Sequence, residues 1–100
     1  MLNSRQRAQL RAAANTSDTI LHIGKEGVTD NVIKQCTDAL AARELIKGRV
    51  LPNSGLTPRE AADELARQCS AETVQTVGTR FILYKENQDI EKDKRIRLIK

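Results

Sequence analysis

The chain has 100 residues, of which 39% are hydrophobic and 30% are charged, values that are ordinary for one soluble globular domain. No apolar run approaches the roughly 20 residues that a membrane-spanning helix needs, and the N-terminal segment lacks the apolar stretch of a secretory signal. We therefore expect a single cytoplasmic domain without membrane association.

Positive charge is concentrated at the two ends of the chain. The net charge is +4, and neither residues 1–17 nor residues 94–100 contain an acidic residue. The stretch between them holds ten basic and thirteen acidic residues. This asymmetry is typical of a chain that binds a polyanion, although two solvated termini would look the same. The basic residues of the N-terminal segment are Arg5, Arg7 and Arg11.

The first half of the chain predicts a helix, a strand and a second helix. Ser4 can cap a helix that continues to about residue 14, with inward-facing Leu10, Ala13 and Ala14. Residues 19–23 form a short apolar run that predicts a strand. Residues 30–43 place apolar side chains at helical spacing, namely Val32, Ile33, Cys36, Ala39 and Leu40.

The second half predicts a strand, a helix and a hairpin. Residues 45–51 alternate, which places Lys47 and Arg49 on one face of a strand. Thr57-Pro58-Arg59-Glu60 combines a cap, a first-turn proline and a capping-box glutamate, the pattern of a helix start. The runs 72–77 and 80–85 read as strands joined by a two-residue turn, Gly78-Thr79.

The resulting order is α-β-α-β-α-β-β, which predicts a compact α/β domain with a mixed four-stranded sheet. We expect the helices to pack mainly on one sheet face and the other face to stay partly open, with Lys47 and Arg49 on the open face. The acidic third helix should point away from any nucleic acid. Residues 1–86 would form the domain, and residues 87–100 a charged C-terminal tail.

The tetrapeptide Gly24-Lys25-Glu26-Gly27 lies between the first strand and the second helix. Glycine lets a chain turn sharply and approach a ligand closely, and the start of a helix favours an anion. With Lys25 between the glycines, the loop suits contact with a phosphate backbone.

The residue inventory argues against an enzyme. His22 is the only histidine and lies within a predicted strand, where packing or hydrogen bonding is the more common role. No nucleophile, base and orienting group share a motif, so we expect no catalytic residues, cofactor, metal or small-molecule substrate. Cys36 and Cys69 should be buried free thiols. Phe81 and Tyr84, the only aromatic residues, should lie on opposite faces of one strand, which does not suit a base-stacking sheet.

Four segments of the chain carry a resemblance to a known family. They are Leu2-Asn3-Ser4-Arg5-Gln6-Arg7, Ile23-Gly24-Lys25-Glu26-Gly27-Val28-Thr29, Glu44-Leu45-Ile46-Lys47 and Phe81-Ile82-Leu83-Tyr84-Lys85. They resemble the YhbY-type proteins, which are stand-alone CRM (chloroplast RNA splicing and ribosome maturation) domains. The similarity covers about residues 2–85 with nearly the family's spacing.

This resemblance implies a fold like the C-terminal domain of bacterial initiation factor three, and RNA binding. Bacterial single-domain members associate with precursors of the large ribosomal subunit, and plant relatives act in group II intron splicing. By position, the resemblance implies that Gly24, Lys25 and Gly27 are loop contacts. The arginines of the first helix would extend the basic surface.

Three positions depart from the family pattern. Thr19 stands where a proline often precedes the first strand, and Thr79 where a basic residue often follows the hairpin glycine. Arg80 is therefore a candidate for the displaced positive charge. Gly48 inside the second strand predicts a bulge or a close packing contact.

Together with the basic residues, the resemblance to the YhbY-type proteins implies a monomeric RNA-binding protein that binds ribosomal RNA of large-subunit precursors. The glycine loop and the arginine-bearing first helix should share one cationic rim, with Lys47, Arg49 and Arg80 as further contacts. The alternative is a protein-interaction module that acts in a ribosomal or ribonucleoprotein assembly without touching RNA.

Overall fold

A computed structural model describes residues 2–15 and 18–86, so the predicted tail at 87–100 lies outside the described residues. The elements follow the predicted order. They are α1 (Ser4–Ala14), β1 (Thr19–Ile23), α2 (Asp30–Ala42), β2 (Leu45–Val50), a short 3-10 turn (Pro52–Ser54), α3 (Pro58–Cys69), β3 (Glu72–Val77) and β4 (Arg80–Tyr84).

Each helix begins at a side-chain cap. Asn3, not the predicted Ser4, caps α1: its Oδ1 accepts from the Gln6 backbone N–H at 2.8 Å, and Gln6 Oε1 accepts from the Asn3 N–H at 3.0 Å. An asparagine followed by a glutamine three residues later satisfies two free N–H groups, which Ser4 cannot do one position later. The predicted capping box of Thr57 and Glu60 is confirmed at α3. None of the helices in the described ranges is long and apolar enough to cross a bilayer.

The four strands of the described chain form one mixed sheet in the order β1-β2-β4-β3. β1 and β2 are parallel, while β4 is antiparallel to both β2 and β3. The hairpin strand β4 therefore inserts between β2 and β3, and the two sheet edges are β1 and β3. Gly78 turns the hairpin with a φ of +60°, and Thr79 keeps a negative φ, as in the glycine-first turn predicted from the sequence.

Helices cover both faces of the sheet, but unequally. α2 and α3 pack on one face over a cluster that includes Leu21, Ile46 and Phe81. α1 crosses the other face, where Leu10 and Ala14 pack with side chains from β2, β3 and β4. Ala13 is exposed rather than inward, because α1 contacts the sheet through one narrow i, i+4 line. The second face is partly open, as predicted.

Gly48 makes room for the largest fully buried side chain, Phe81. It is the register partner of Phe81, whose ring lies where a Gly48 side chain would be: a Cβ there would be 2.2 Å from Phe81 Cζ. The close packing contact predicted for Gly48 is confirmed. The sheet's irregularities lie elsewhere, in β1 after Thr19 and in β3 after Thr73. Phe81 and Tyr84 are both buried on opposite sheet faces, also as predicted.

The two cysteines are buried free thiols, one on α2 and one on α3. Burial and the neighbouring Cys69 thiol raise the pKa of Cys36 far above its ordinary value. A protonated, buried thiol is a poor nucleophile. The pair therefore contributes packing between the two helices.

Candidate functional site

The segment Gly24–Gly27 forms a tight turn at the end of β1. The Gly27 N–H donates to the Gly24 carbonyl at 3.0 Å, which leaves Lys25 and Glu26 exposed at the tip. Gly27 has a φ of +73°, the left-handed region that glycine adopts most easily, whereas Gly24 does not need positive φ. The turn thus favours glycine at position 27 and presents Lys25 to solvent.

The turn leads directly into α2. Thr29 Oγ1 accepts from the Val32 N–H at 3.2 Å and caps the helix. Asp30 occupies the first turn of α2, and Glu26 lies beside Lys25. With two carboxylates and one ammonium, these three side chains carry a net charge of −1, so the helix start does not make an anion site by itself. Additional cations must come from elsewhere.

Those cations lie on the adjacent strands. His22, Arg49 and Arg80 are register partners across β1, β2 and β4, and all three are exposed. Lys47, two residues before Arg49, shares its sheet face and is half-buried. We call the three basic side chains Lys47, Arg49 and Arg80 the strand cation patch. It lies on the sheet face that α1 leaves open, at the end where the 24–27 turn follows β1.

The strand cation patch has no counter-charge within residues 2–15 and 18–86. The ion pairs of that part of the chain join Lys34 to Asp38, Arg59 to Asp63 and Arg67 to Glu64. Arg49 and Arg80 instead face each other as like charges on paired strands, an arrangement that costs stability. A destabilising pair without compensation is typical of a functional surface.

The arginines of α1 do not share one environment. Arg7 Nη1 donates to the carbonyls of Thr73 at 2.6 Å and Val74 at 3.1 Å, which fixes it to the bulged edge of β3. Arg5 is exposed near the start of α1, where the Leu2 N–H donates to Glu72 Oε2 at the beginning of β3. Arg11 is exposed one turn beyond Arg7.

α1 and the 24–27 turn therefore lie toward different parts of the sheet. The turn follows the edge strand β1, and Arg7 is fixed to the opposite edge strand β3, roughly 14 Å away at about 4.8 Å per strand. Asn15, which ends α1, adjoins Lys47 and Arg80. The structure thus brings the C-terminal end of α1 to the strand cation patch, but places Arg7 and the N-terminal turn with Arg5 apart from it.

The acidic helix α3 packs on the opposite sheet face from the strand cation patch. Hydrogen bonds from the Thr57 backbone and hydroxyl lower the pKa of Glu60 below its ordinary value, and the Arg67 guanidinium does the same for Glu64. These carboxylates stay charged at neutral pH. One face of the molecule is therefore cationic and the other carries much of the acidic charge.

The described side chains provide no metal centre, since no group of three or more His, Cys, Asp or Glu among them could hold an ion.

Comparison with known protein families identifies the domain to which these residues belong. The family model of the CRS1 / YhbY (CRM) domain matches residues 2–85. This chain belongs to the CRM domain family.

Individual relatives agree with this CRM assignment. The chain is 42% identical over 89 residues to a Bacillus subtilis protein named "Probable RNA-binding protein YqeI", covering 89% of this chain and 93% of that one. It is 27% identical to a Haemophilus influenzae protein named "RNA-binding protein", over 88% of this chain and 89% of the relative. The solution structure of a Staphylococcus aureus protein described as a candidate RNA binder matches with a TM-score of 0.64 and 41% identity, covering 91% and 98% of the two chains.

Sequence reasoning about this CRM domain missed two aspects of the site. His22 was expected to be packed or hydrogen-bonded, but it is exposed beside Arg49. Side chains alternate along β1, so the burial of Leu21 and Ile23 on one sheet face leaves His22 on the open face. The sequence did not assign the Arg80 side chain to a face of the sheet, and its pairing with Arg49 places it on the open face. Which of these side chains lie next to each other depends on pairing between strands that are distant in the sequence.

Arg7 of this CRM domain should contribute to stability. Replacing Arg7 with Ala removes two hydrogen bonds from a charged, half-buried donor and should lower the free energy of unfolding by about 1–2 kcal/mol. Urea denaturation followed by circular dichroism measures this difference. Arg5→Ala, an exposed change two residues earlier, is the matched control and should stay within about 0.5 kcal/mol of the parent. Equal stability of both variants would contradict a structural role for Arg7.

Proposed function

We propose that this chain is an RNA-binding protein that uses the strand cation patch together with the 24–27 turn. The observation that supports it most is the group Lys47, Arg49 and Arg80, which is free of ion pairs within the described part of the chain and lies on an open sheet face. The names of the relatives, which refer to RNA binding, point to the same ligand.

Phosphate is the part of RNA that such a surface recognises best. Arginine presents a planar fork of donors that matches a phosphate, and exposed lysine adds a mobile positive charge. Both aromatic side chains are buried, so the open face cannot stack successive bases in the way an aromatic sheet does. Binding should therefore depend mainly on phosphates, sugars and RNA shape.

The 24–27 turn would act as a second contact beside the strand cation patch. Lys25 at its tip supplies a charge, and Gly27 keeps side-chain atoms away from an approaching backbone. His22 lies between the turn and Arg49, so one RNA backbone could pass over all three positions. The part of Arg5 and Arg11 in this surface is less direct, since α1 lies toward the other edge strand.

The RNA that we propose is ribosomal RNA in precursors of the large subunit, bound in the cytoplasm by a monomer. This finer assignment depends on the family membership and on what the family's bacterial members do. A surface that recognises phosphates and shape suits a folded RNA with closely spaced backbones. We propose binding rather than catalysis.

Removing one cation from the strand cation patch should weaken RNA binding and its salt dependence together. For Arg49→Gln, we expect the slope of log affinity against log salt to become shallower by about 0.7–0.9, since one phosphate contact is lost. Fluorescence anisotropy with a labelled ribosomal RNA fragment, titrated at several salt concentrations, measures the slope. Arg67→Gln removes the same charge from α3 on the other face, where Arg67 pairs with Glu64, and should leave the slope unchanged. Identical effects of both changes would mean that only net charge matters.

Position 27 allows a test of the turn in which only charge differs. Asp and Asn both tolerate a left-handed φ, and a Cβ there would make an ordinary 3.6 Å contact with Leu56 Cδ1. Gly27→Asp should weaken RNA binding more than Gly27→Asn, because the added carboxylate repels phosphate. The helical circular dichroism should be retained in both variants. Equal binding by the two variants and the parent would remove the turn from the interface.

Ribosomal RNA can be tested directly in cells. Ultraviolet crosslinking of the chain, followed by sequencing of the attached RNA, should enrich large-subunit ribosomal RNA over messenger RNA. Arg49→Gln should reduce the crosslinked yield, and Arg67→Gln should not. Recovery of the same ribosomal particles without crosslinked RNA, resistant to nuclease, would instead support the protein-interaction alternative.

A further inference from the structure

A small cavity opens beside the strand cation patch, between the end of α1 and the strands β2, β3 and β4. Its volume is about 160 Å³, well below the roughly 300 Å³ at which pockets for whole drug-sized ligands begin. Only one part of a larger ligand could enter it. The lining residues are Asn15, Lys47, Gln75, Val77, Arg80 and Ile82.

Strand register brings these side chains together from distant parts of the sequence. Lys47 and Gln75 are both register partners of Ile82, so the three form one row across β2, β4 and β3. Val77 and Arg80 form the next row at the hairpin end. Asn15, at the end of α1, completes the wall.

The bulge in β3 gives Gln75 its place in this wall. The register shifts between Thr73 and Gln75, so Val74 and Gln75 together oppose Ile82. Val74 is buried under α1, while Gln75 is only half-buried and lines the cavity. Bulges commonly redirect a side chain in this way beside functional sites.

The lining combines three kinds of chemistry. Lys47 and Arg80 are cations, and none of the described residues that line the cavity is acidic. The amides of Asn15 and Gln75 can each donate and accept hydrogen bonds. Val77 is 58% exposed and is the exposed large hydrophobic side chain of the described residues. It lines this cavity.

We propose that this cavity holds one unpaired nucleotide of the bound RNA, an inference that rests on the proposed RNA-binding function. Lys47 and Arg80 contact the phosphate, and the base lies against Val77 with its edge hydrogen-bonded by the two amides. A phosphate alone would need the cations but neither the amides nor the apolar side chain. Unpaired bases are the usual target of sequence-specific RNA recognition, because their edges are free to form hydrogen bonds.

The test compares RNA hairpins that differ by a single nucleotide. Four labelled hairpins carry one bulged A, C, G or U, and a fifth lacks the bulge; anisotropy gives each affinity. The parent chain should bind its preferred bulged hairpin about tenfold more tightly than the paired one, as expected for one base held by hydrogen bonds to its edge. Gln75→Ala and Val77→Ser should reduce that ratio to less than about threefold, with the salt slope unchanged.

Gln35→Ala is the matched control, because it removes an exposed amide from α2 on the opposite face. It should keep the full preference for the bulged hairpin. Tight, salt-dependent binding of all five hairpins with equal affinity would contradict the binding of an unpaired nucleotide in the cavity. The proposed RNA-binding function would still stand. A preference that survives both Gln75→Ala and Val77→Ser would also contradict nucleotide binding in the cavity. Failure to bind any hairpin would overturn the proposed function itself, and the cavity with it.

Discussion

The antiparallel pairing of β2 with β4 is the interaction on which both faces of the sheet depend. On the buried face it places Gly48 under the Phe81 ring, at the one strand position where no side chain competes for that space. On the other face the same register places Arg49 beside Arg80. A slip by one residue would move each set to the wrong face. Core packing therefore holds two like charges together at the surface.

That arrangement explains how a destabilising charge pair can persist. Neither arginine has an acidic partner within the described ranges, so their repulsion must be offset by the rest of the fold. The offset comes from a core that fully buries large side chains such as Phe81, Leu65 and Ile23. Apolar burial on one sheet face thus supports a cationic surface on the other.

The arginines of this small domain have different physical roles, and net charge does not distinguish them. Arg7 binds carbonyls at the edge of β3, and so also covers part of an edge that could pair with another chain. Arg59 and Arg67 form ion pairs along α3. Arg49 and Arg80 have no such partner in the described chain. Their strand positions, rather than the number of basic residues, define the candidate interface.

Local sequence signals determined the order of helices and strands, the α3 cap, the hairpin turn and the family. Each of these depends on residues close together in the chain, or on motifs such as Glu44-Leu45-Ile46-Lys47 that the family shares. The basic surface was harder to predict, because an arginine contributes to it only if packing leaves it free. Arg7 and Arg11 are spaced as one helical pair, yet Arg7 is fixed to β3.

Only the tertiary structure decided which distant residues meet. Insertion of β4 between β2 and β3 set Arg80 beside Arg49, and the β3 bulge brought Gln75 to the end of α1. Strand order and register are set by how the whole core packs, and no stretch of the chain encodes them alone. The sequence therefore determined the elements and the family, and the folded sheet determined which basic side chains lie together.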